Sequence, residues 1–424
     1  SESIWFRRGD KCELANLTEP GSSASFACGD ARTPLVAAAD FVHSAGAAFG
    51  ISGARVGEME TMGLRVRVET DARVVDERLA SLPDGLLRGP FQHRDWIAAW
   101  VAARADAPPR LALALVEAEG APIPRLVLPL MLDLRAGVPC WTALDDGVAD
   151  YNAPLLALDF EPSAQTMRWI WARIVDQLPT GDLIFLEKMP ERIGERRNPL
   201  LDLAGVVRSR FLAHPLTIDG DLDTLRRRYA GRRSLDRKRR KLERRGRVDF
   251  TVASGRDAVP LLERLMGWRD QRYDGRPITV AFYRRLLLDS DLARVGMLCL
   301  DGEPIGGCFA VVEGGVLRLL VSAFDETAKN WSPGLLAIDM MIAWAVDAGL
   351  RAFDFTIGSE PYKFGFGVAS EPLWEVRRPL RLRGRVLLGL LDAGRIAARL
   401  VRRSRTETIP PPGLRPMVAE PPAP

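Results

Sequence analysis

The segment from Leu335 to Val346 is apolar on nearly every side and is broken only by Asp339. A helix of that composition has no face to offer water and belongs in an interior. Its ends are marked. Ser332 is a favourable N-cap, Pro333 at the first helical position sacrifices no needed donor, and Gly349 stops the helix. Gly334 removes a side chain from the first turn, where free N–H groups point outward. Such a start can hold a phosphate or pyrophosphate at Ser332, Pro333, Gly334 and Leu335. The same signals also begin ordinary core helices. A short strand, Ala352 to Thr356, follows and runs into a loop that carries Glu360, Tyr362 and Lys363 among Gly358, Gly365, Gly367, Phe364 and Phe366. Polar groups alternating with aromatics describe a lining rather than a surface.

A chain of 424 residues is too long for one ordinary domain, and two domains plus tails is the natural expectation. The five cysteines are scattered, no Cys-x-x-Cys pair occurs, and the three histidines are far apart. A disulfide framework and a structural metal site are therefore not expected, and a reducing, cytoplasmic compartment fits best. No apolar run is long enough for a membrane span.

Residues 1–58 lack periodicity and read as a disordered extension. Order is expected from Leu64, where Leu64-Arg-Val-Arg-Val-Glu69 alternates as a strand does. Residues 59–210 give a first half, with helices over 72–82, around Trp96 and Trp100, and over 163–177. Its strands are expected at 111–117, 125–134 and 182–187. Residues 211–382 repeat the theme without sequence identity. Hairpin signals at Asp301-Gly302 and Gly314-Gly315 join three strands ahead of the Pro333 helix. Residues 383–404 then form a helix with Val386, Leu387, Leu390, Leu391, Ile396 and Leu400 on one apolar side and six arginines on the other. The tail, to 424, is proline-rich and expected to be disordered.

Charge is concentrated in one element. Residues 226–247 hold thirteen Lys/Arg against Asp236 and Glu243, a balance of +11 in a chain whose net charge is +4. Gly231 is expected to separate a short helix from the long basic one, and Leu235 and Leu242 lie one heptad apart. Arg237, Lys238 and Lys241 can form a solvated face. They can also meet the 3′-phosphate of a nucleotide or a phosphorylated acceptor. Nucleic acid is the weaker alternative, because interleaved aromatics are missing apart from Tyr229. Together with the arginine-rich helix after 382, a peripheral contact with anionic membrane is a further option.

Trp331-Ser-Pro-Gly-Leu-Leu followed by Phe353-Asp-Phe-Thr-Ile-Gly-Ser-Glu-Pro-Tyr-Lys resembles the GNAT-superfamily acyltransferases related to the cellulose-biosynthesis protein CelD (BcsL). FemAB-type transferases are more distant relatives of that group. Pro90-Phe-Gln-His-Arg-Asp-Trp-Ile-Ala-Ala-Trp100, the basic helix from Ser234 and the Asp150-Tyr151-Asn152 turn fit the same pattern in order and spacing. The resemblance implies an α/β (α+β) fold of two tandem GNAT-like halves, with mixed, largely antiparallel sheets flanked by helices. It also implies an acyl-CoA co-substrate, such as acetyl-CoA, and no metal. The implied activity is acyl transfer to an amine or hydroxyl, with a polysaccharide or cell-envelope precursor as acceptor. The alternatives are FemAB-like transfer from aminoacyl-tRNA and a non-catalytic scaffold of an envelope-polysaccharide complex.

Acyl transfer from a thioester needs a nucleophile, donors for the oxyanion and sometimes a proton acceptor. No Ser-His-Asp order is evident, so direct attack by the acceptor is the expected route. Asp354 and Glu360 are the candidate bases. Glu360 is preferred for its accessibility. Asp354, between Phe353 and Phe355 on a strand, must point away from both. Tyr362 is a candidate proton donor to the leaving thiolate, and Lys363 a candidate ligand for a phosphate or partner for Glu360. Asp150 and Tyr151 can line the acceptor side if the two halves face one another.

Overall fold

In the computed structural model of this protein the described residues are 6–8, 11–13, 63–105, 108–271 and 277–406. Two units are present, Ser1–Met59 and Glu60–Pro424. In the first, Phe6–Arg8 and Lys11–Glu13 pair as a short antiparallel hairpin. The rest of the expected extension, and the proline-rich tail from 407, lie outside the described residues. Both expected halves belong to the second unit.

That unit is a mixed α/β fold built on one large, mostly antiparallel sheet flanked by helices. The first half contributes β1 (Leu64–Glu69), α1 (Ala72–Ala80), α2 (Arg94–Ala102), β2 (Leu111–Ala118), β3 (Leu126–Arg135), β4 (Val138–Ala143), α3 (Ala164–Gln177), β5 (Leu183–Met189) and β6 (Val206–Thr217). The second contributes α4 (Leu222–Arg227), α5 (Arg232–Glu243), β7 (Val248–Ala253), α6 (Val259–Asp270), α7 (Pro277–Asp289), β8 (Ala293–Leu300), β9 (Glu303–Glu313), β10 (Val316–Phe324), α8 (Pro333–Asp347), β11 (Ala352–Ile357), β12 (Glu371–Pro379) and α9 (Leu382–Thr406). The strand order is β7-β8-β9-β10-β11-β6-β12-β5-β4-β3-β2-β1.

The two ends of this list mirror each other. In each half a run of antiparallel strands ends in one parallel pair closed by a helix. β4 and β5 are parallel across α3, and β10 and β11 are parallel across α8. The centre is where the halves are exchanged. β6, the last strand of the first half, pairs with β11 of the second. β12, the last strand of the second half, pairs with β5 of the first. β6 and β12 also pair with each other. The boundary expected at 210/211 therefore falls inside a strand shared by both halves. β4 and β6 were not expected as strands. β6 carries Arg208, Ser209, Arg210 and Pro215, and its ladder partners all lie far away in sequence.

Packing follows the sequence pattern. α8 is buried, and its Leu336, Ile338, Met341 and Ile342 pack with Phe353, Phe355, Leu235 and Leu242. The heptad pair of α5 thus faces α8, and Gly231 precedes α5 as expected. Trp96 and Trp100 of α2 are 1% exposed, and Trp96 meets Phe282 of α7 edge-on at 4.7 Å. The aromatic helix of the first half is thereby a joint between halves. At the far end Gly384 brings α9 onto the start of β5. A Cβ there would fall 2.0 Å from the Asp182 carbonyl oxygen.

The one carboxylate in α8 explains much of the basic element. Asp339 is fully buried and takes two bonds from Arg226, Nε to Oδ1 at 3.1 Å and Nη2 to Oδ2 at 2.6 Å. Arg239 also bonds Oδ2. Part of the charge read from sequence as a surface is thus spent inside the fold, tying α4 and α5 to α8. Removing the shared acid leaves two partly buried cations facing each other. Asp339→Leu should lower stability by about 3 kcal/mol in urea unfolding. A loss below about 1 kcal/mol, the scale of exposed ion pairs, would show that these pairs hold nothing together.

Candidate functional site

Asp354 sits in β11 with Phe353 and Phe355 packed on the opposite face, as strand alternation requires. It is 6% exposed. Its Oδ1 accepts the Tyr151 hydroxyl at 3.0 Å and the Thr356 N–H at 2.8 Å. Thr356 takes a left-handed backbone, φ 56°, which is costly for a β-branched residue. That turn aims its N–H back at the carboxylate and lets its hydroxyl donate to the Leu319 carbonyl at 3.1 Å. Burial raises the Asp354 carboxyl above its ordinary range, and Arg318 and the two hydrogen bonds pull the other way.

Tyr151 reaches Asp354 from the other half of the chain. Asn152 donates its backbone N–H to the Lys188 carbonyl at 3.0 Å, and its side-chain amide to the Glu187 carbonyl and Asp145 Oδ2, each at 3.0 Å. Lys188, also left-handed at φ 60°, sends its ammonium to Asp145 Oδ2 at 2.8 Å and to the Ala149 carbonyl at 2.7 Å. The turn 145–152 is thus clamped to the end of β5. Gln92 supports it from α2's side, donating to the Tyr151 carbonyl at 3.0 Å, and Phe91 packs 5.7 Å from the Tyr151 ring. Burial, then the Asp354 charge, pushes the Tyr151 phenol well up, so it stays a hydrogen-bond donor.

Tyr151 and Asp354 line a cavity of about 350 Å³ over the exchanged strands. Ala213 and Pro215 of β6, and Glu371 to Leu373 of β12, form its walls, with Pro190, Glu191 and Arg192 at the end of β5. Glu371 is raised by partial burial and by the charges of Asp354 and Glu191. Among the lining residues Asp354, Glu191 and Glu371 are carboxylates and Arg192 is basic, while Arg318 acts on Asp354 from outside the lining.

A second cavity, about 130 Å³, lies on the Phe355 side. Gly231, Ser234, Leu235 and Lys238 line it from α5 and its start, Leu335 from α8, and Tyr362, Gly365 and Phe366 from the loop. Gly231 donates to the Gly365 carbonyl at 2.9 Å, so the two backbones touch. Of the basic residues singled out by sequence, Lys238 lines this cavity, Lys241 donates to the Asn330 carbonyl at 3.4 Å, and Arg237 is exposed.

The start of α8 differs from expectation. Ser332 has φ 55° and makes no side-chain cap, because the preceding 3-10 turn, Glu326–Trp331, ends on it and draws its N–H to Lys329. Pro333 and Gly334 are buried. A Cβ on Gly334 would stand 3.0 Å from the Phe324 ring, so this glycine serves helix–strand packing. Leu335 alone of the four reaches the second cavity.

Lys363 is 3% exposed and donates to the carbonyls of Phe355, Ile357 and Gly358 at 2.9, 2.6 and 3.1 Å. It also pairs with Glu360 at 3.0 Å. The expected pairing is present, and an ammonium holding three carbonyls fixes the loop rather than meeting a phosphate. Glu360 is half-exposed, folds over Gly358 and lines neither cavity. His214, buried, meets Ser359 and Ser370, and His93 caps α2, so both serve structure.

Sequence reasoning overlooked Lys188, Gln92, Thr356, Glu191 and Glu371. Gln92 and Thr356 lay within motifs already singled out; the others gave no local signal.

Residues 201–364 match the family model described as an acetyltransferase (GNAT) domain. The match begins just ahead of β6 and ends in the loop after β11, so Asp354 falls within it and Tyr151 outside. The CelD/BcsL-like group is not distinguished by this match. No curated protein matches the chain. Among solved structures, FemX is 14% identical, with 77% of this chain and 100% of that chain covered and a TM-score of 0.49. L-PGS from Bacillus licheniformis is 11% identical, with 75% and 99% covered and a TM-score of 0.43. A tandem GNAT protein from the clavulanic acid biosynthesis pathway is 13% identical, with 74% and 98% covered and a TM-score of 0.38. These values carry nothing about substrate.

Asp150, beside Tyr151, offers a test of the electrostatics. Burial lifts its carboxyl to about 6, against Lys188 and hydrogen bonding with Thr356. The folded state therefore holds this proton more firmly than the unfolded chain does. Stability on this account declines as pH rises from the unfolded value toward the folded one, and the deficit is complete above it. Asp150→Asn removes the titration. Relative to wild type, the variant should gain on the order of 1–3 kcal/mol between about pH 4 and pH 7. Urea unfolding at both pH values measures it. An unchanged gap would mean that Asp150 titrates normally.

Proposed function

We propose that this protein transfers an acyl group, such as acetyl, from acyl-CoA to an amine held in the larger cavity, with Asp354 as general base. The observation that carries the reading is the Tyr151–Asp354 pair, a buried carboxylate of raised pKa at a cavity lined by both halves. GNAT domains use acyl-CoA, and the matched segment includes Asp354.

The donor belongs on the opposite side of β11 from the acceptor. β10 and β11 are paired only from Val316–Arg318 with Ala352–Asp354, although β10 runs on to Phe324 and β11 to Ile357. The thioester carbonyl would lie where the two strands diverge. Ser234, Lys238, Leu335 and Tyr362 would hold the CoA moiety from the smaller cavity, with Lys238 and the exposed Arg237 toward its phosphates.

In the reaction, the ammonium of the acceptor is drawn by Glu191 and Glu371 and gives a proton to Asp354. The free amine attacks the thioester carbonyl, forming the C–N bond. The tetrahedral intermediate collapses with loss of the C–S bond; Tyr362 protonates the leaving thiolate, and the second proton shed by the attacking nitrogen restores the Tyr362 phenol. Tyr151 holds the Asp354 carboxylate in orientation throughout. An envelope or polysaccharide precursor as acceptor rests on the family resemblance. The exposed arginines of α5 support a second reading, in which the donor is aminoacyl-tRNA; tRNA copurifying with the protein would favour it.

Asp354→Asn keeps shape and should lower turnover by about 10²–10⁴, the usual worth of acid–base catalysis. Base function needs the ionised form, so wild-type turnover should rise with pH through a pKa above the ordinary carboxylate range, and the variant should lose that limb. Tyr151→Phe should shift the limb while retaining more activity than the Asn variant. Thioester cleavage monitored with free thiol reagent, across a panel of amines, measures all three. Glu360→Gln should leave turnover near wild type. Loss in Glu360→Gln with full activity in Asp354→Asn would reverse the assignment.

Lys238 gives a separate test of the donor side. Arg237→Gln with Lys238→Gln should weaken CoA binding in calorimetry and flatten its salt dependence, because fewer charges remain to be screened. An unchanged binding curve would remove α5 from the donor site.

A further inference from the structure

α9 has two apolar sides where the sequence suggested one. Leu387 is buried against Cys140, Leu183 and Phe185, with Leu388 and Leu391 packed beside it. Leu382, Val386 and Leu390, spaced four apart, are 74%, 56% and 66% exposed. At 3.6 residues per turn these three span an arc of about 80°, roughly opposite the buried side. Arg383 and Arg385 are exposed and fall on the two flanks of that arc, and Arg381 is exposed just before the helix. Asp392, the acid of this helix, is taken by Arg377. Core packing does not call for these three large apolar side chains, which lie in a row in water.

We propose that this stripe docks the protein onto the surface of a membrane containing anionic phospholipid. Leu382, Val386 and Leu390 would enter the acyl boundary while the flanking arginines meet lipid phosphates, their stems lying along the apolar zone. Charge decides the occupant, since a stripe bordered on both sides by arginine suits a polyanionic plane. A second copy of the same stripe would bring those arginines against each other. Among the described residues no helix is long and apolar enough to cross a membrane, so the contact is one of surface and not of span. The Asp182 carbonyl, accepting from Leu380 and Arg381, and the close approach at Gly384 hold the start of the helix on the sheet. The stripe is therefore presented by a fixed platform, independent of the acyl-transfer reading.

The test is co-sedimentation of the full chain with vesicles of phosphatidylcholine alone or mixed with phosphatidylglycerol. Wild type should pellet with the mixed vesicles and not with the neutral ones, more at low than at moderate salt. Replacing Leu382, Val386 and Leu390 together by Gln keeps helix propensity and the buried side. It should weaken binding by about tenfold or more. Arg381, Arg383 and Arg385 replaced by Gln should weaken binding and remove its salt dependence. Circular dichroism checks the fold of each variant. No binding by wild type at low salt overturns the proposal, as does equal binding by the folded Leu382/Val386/Leu390 variant. A wild-type dimer that this variant converts to monomer would also overturn it, by assigning the stripe to self-association.

Discussion

The hydrogen-bonded exchange of β6 and β12 is the constraint on which the rest depends. Each half carries its own run of strands, its parallel pair and its crossover helix, yet completes its sheet with the strand of the other. The ladder between β6 and β12 then makes the seam continuous. Strand neighbours stand about 4.8 Å apart, so β5 and β11, three steps removed, are separated by about 14 Å. The larger cavity lies over that width of sheet, walled by residues of β6 and β12. Pro215 and the irregular register around His214 loosen the ladder at the same place.

The site needs both halves for the same reason. Asp354 comes from β11 and its hydrogen-bond donor from a turn clamped to β5. The aromatic path Tyr151, Phe91, Trp96, Phe282 carries that turn onto the helices of the second half. Left-handed Lys188 and Thr356 sit near the ends of corresponding strands, and each redirects polar groups toward the seam. Strain of order 1–3 kcal/mol at each such residue persists only where the surroundings hold it. Here the holding groups are an ammonium between two acceptors and a carboxylate between two donors.

Much of this was legible from sequence, and the remainder was not for identifiable reasons. The buried α8, the hairpins at Asp301-Gly302 and Gly314-Gly315, the break at Gly231 and the facing of Asp354 follow from local periodicity and turn chemistry, and all are present. β6 escaped because a strand held between two distant partners needs no alternation of its own, and Pro215 argued against it. Ser332 reads as a cap, but the turn before it decides its backbone. Lys363 reads as a phosphate ligand or a partner for Glu360; the pairing is present, and three carbonyls also converge on the ammonium. Asp150 and Tyr151 were singled out by resemblance; Lys188 and Glu371 became visible only when the strands they end or begin were in order.

A chain whose halves have traded their final strands behaves as a closed dimer written into one polypeptide. Separating the halves anywhere between Val206 and Thr217 would leave both β5 and β11 with open edges, one bearing the apolar run Leu183 to Leu186 and the other Phe353 and Phe355. Such edges invite pairing with other chains. The two halves are thus free to differ in their loops and helices. They are not free to part, because neither can finish its sheet without the strand it has given away.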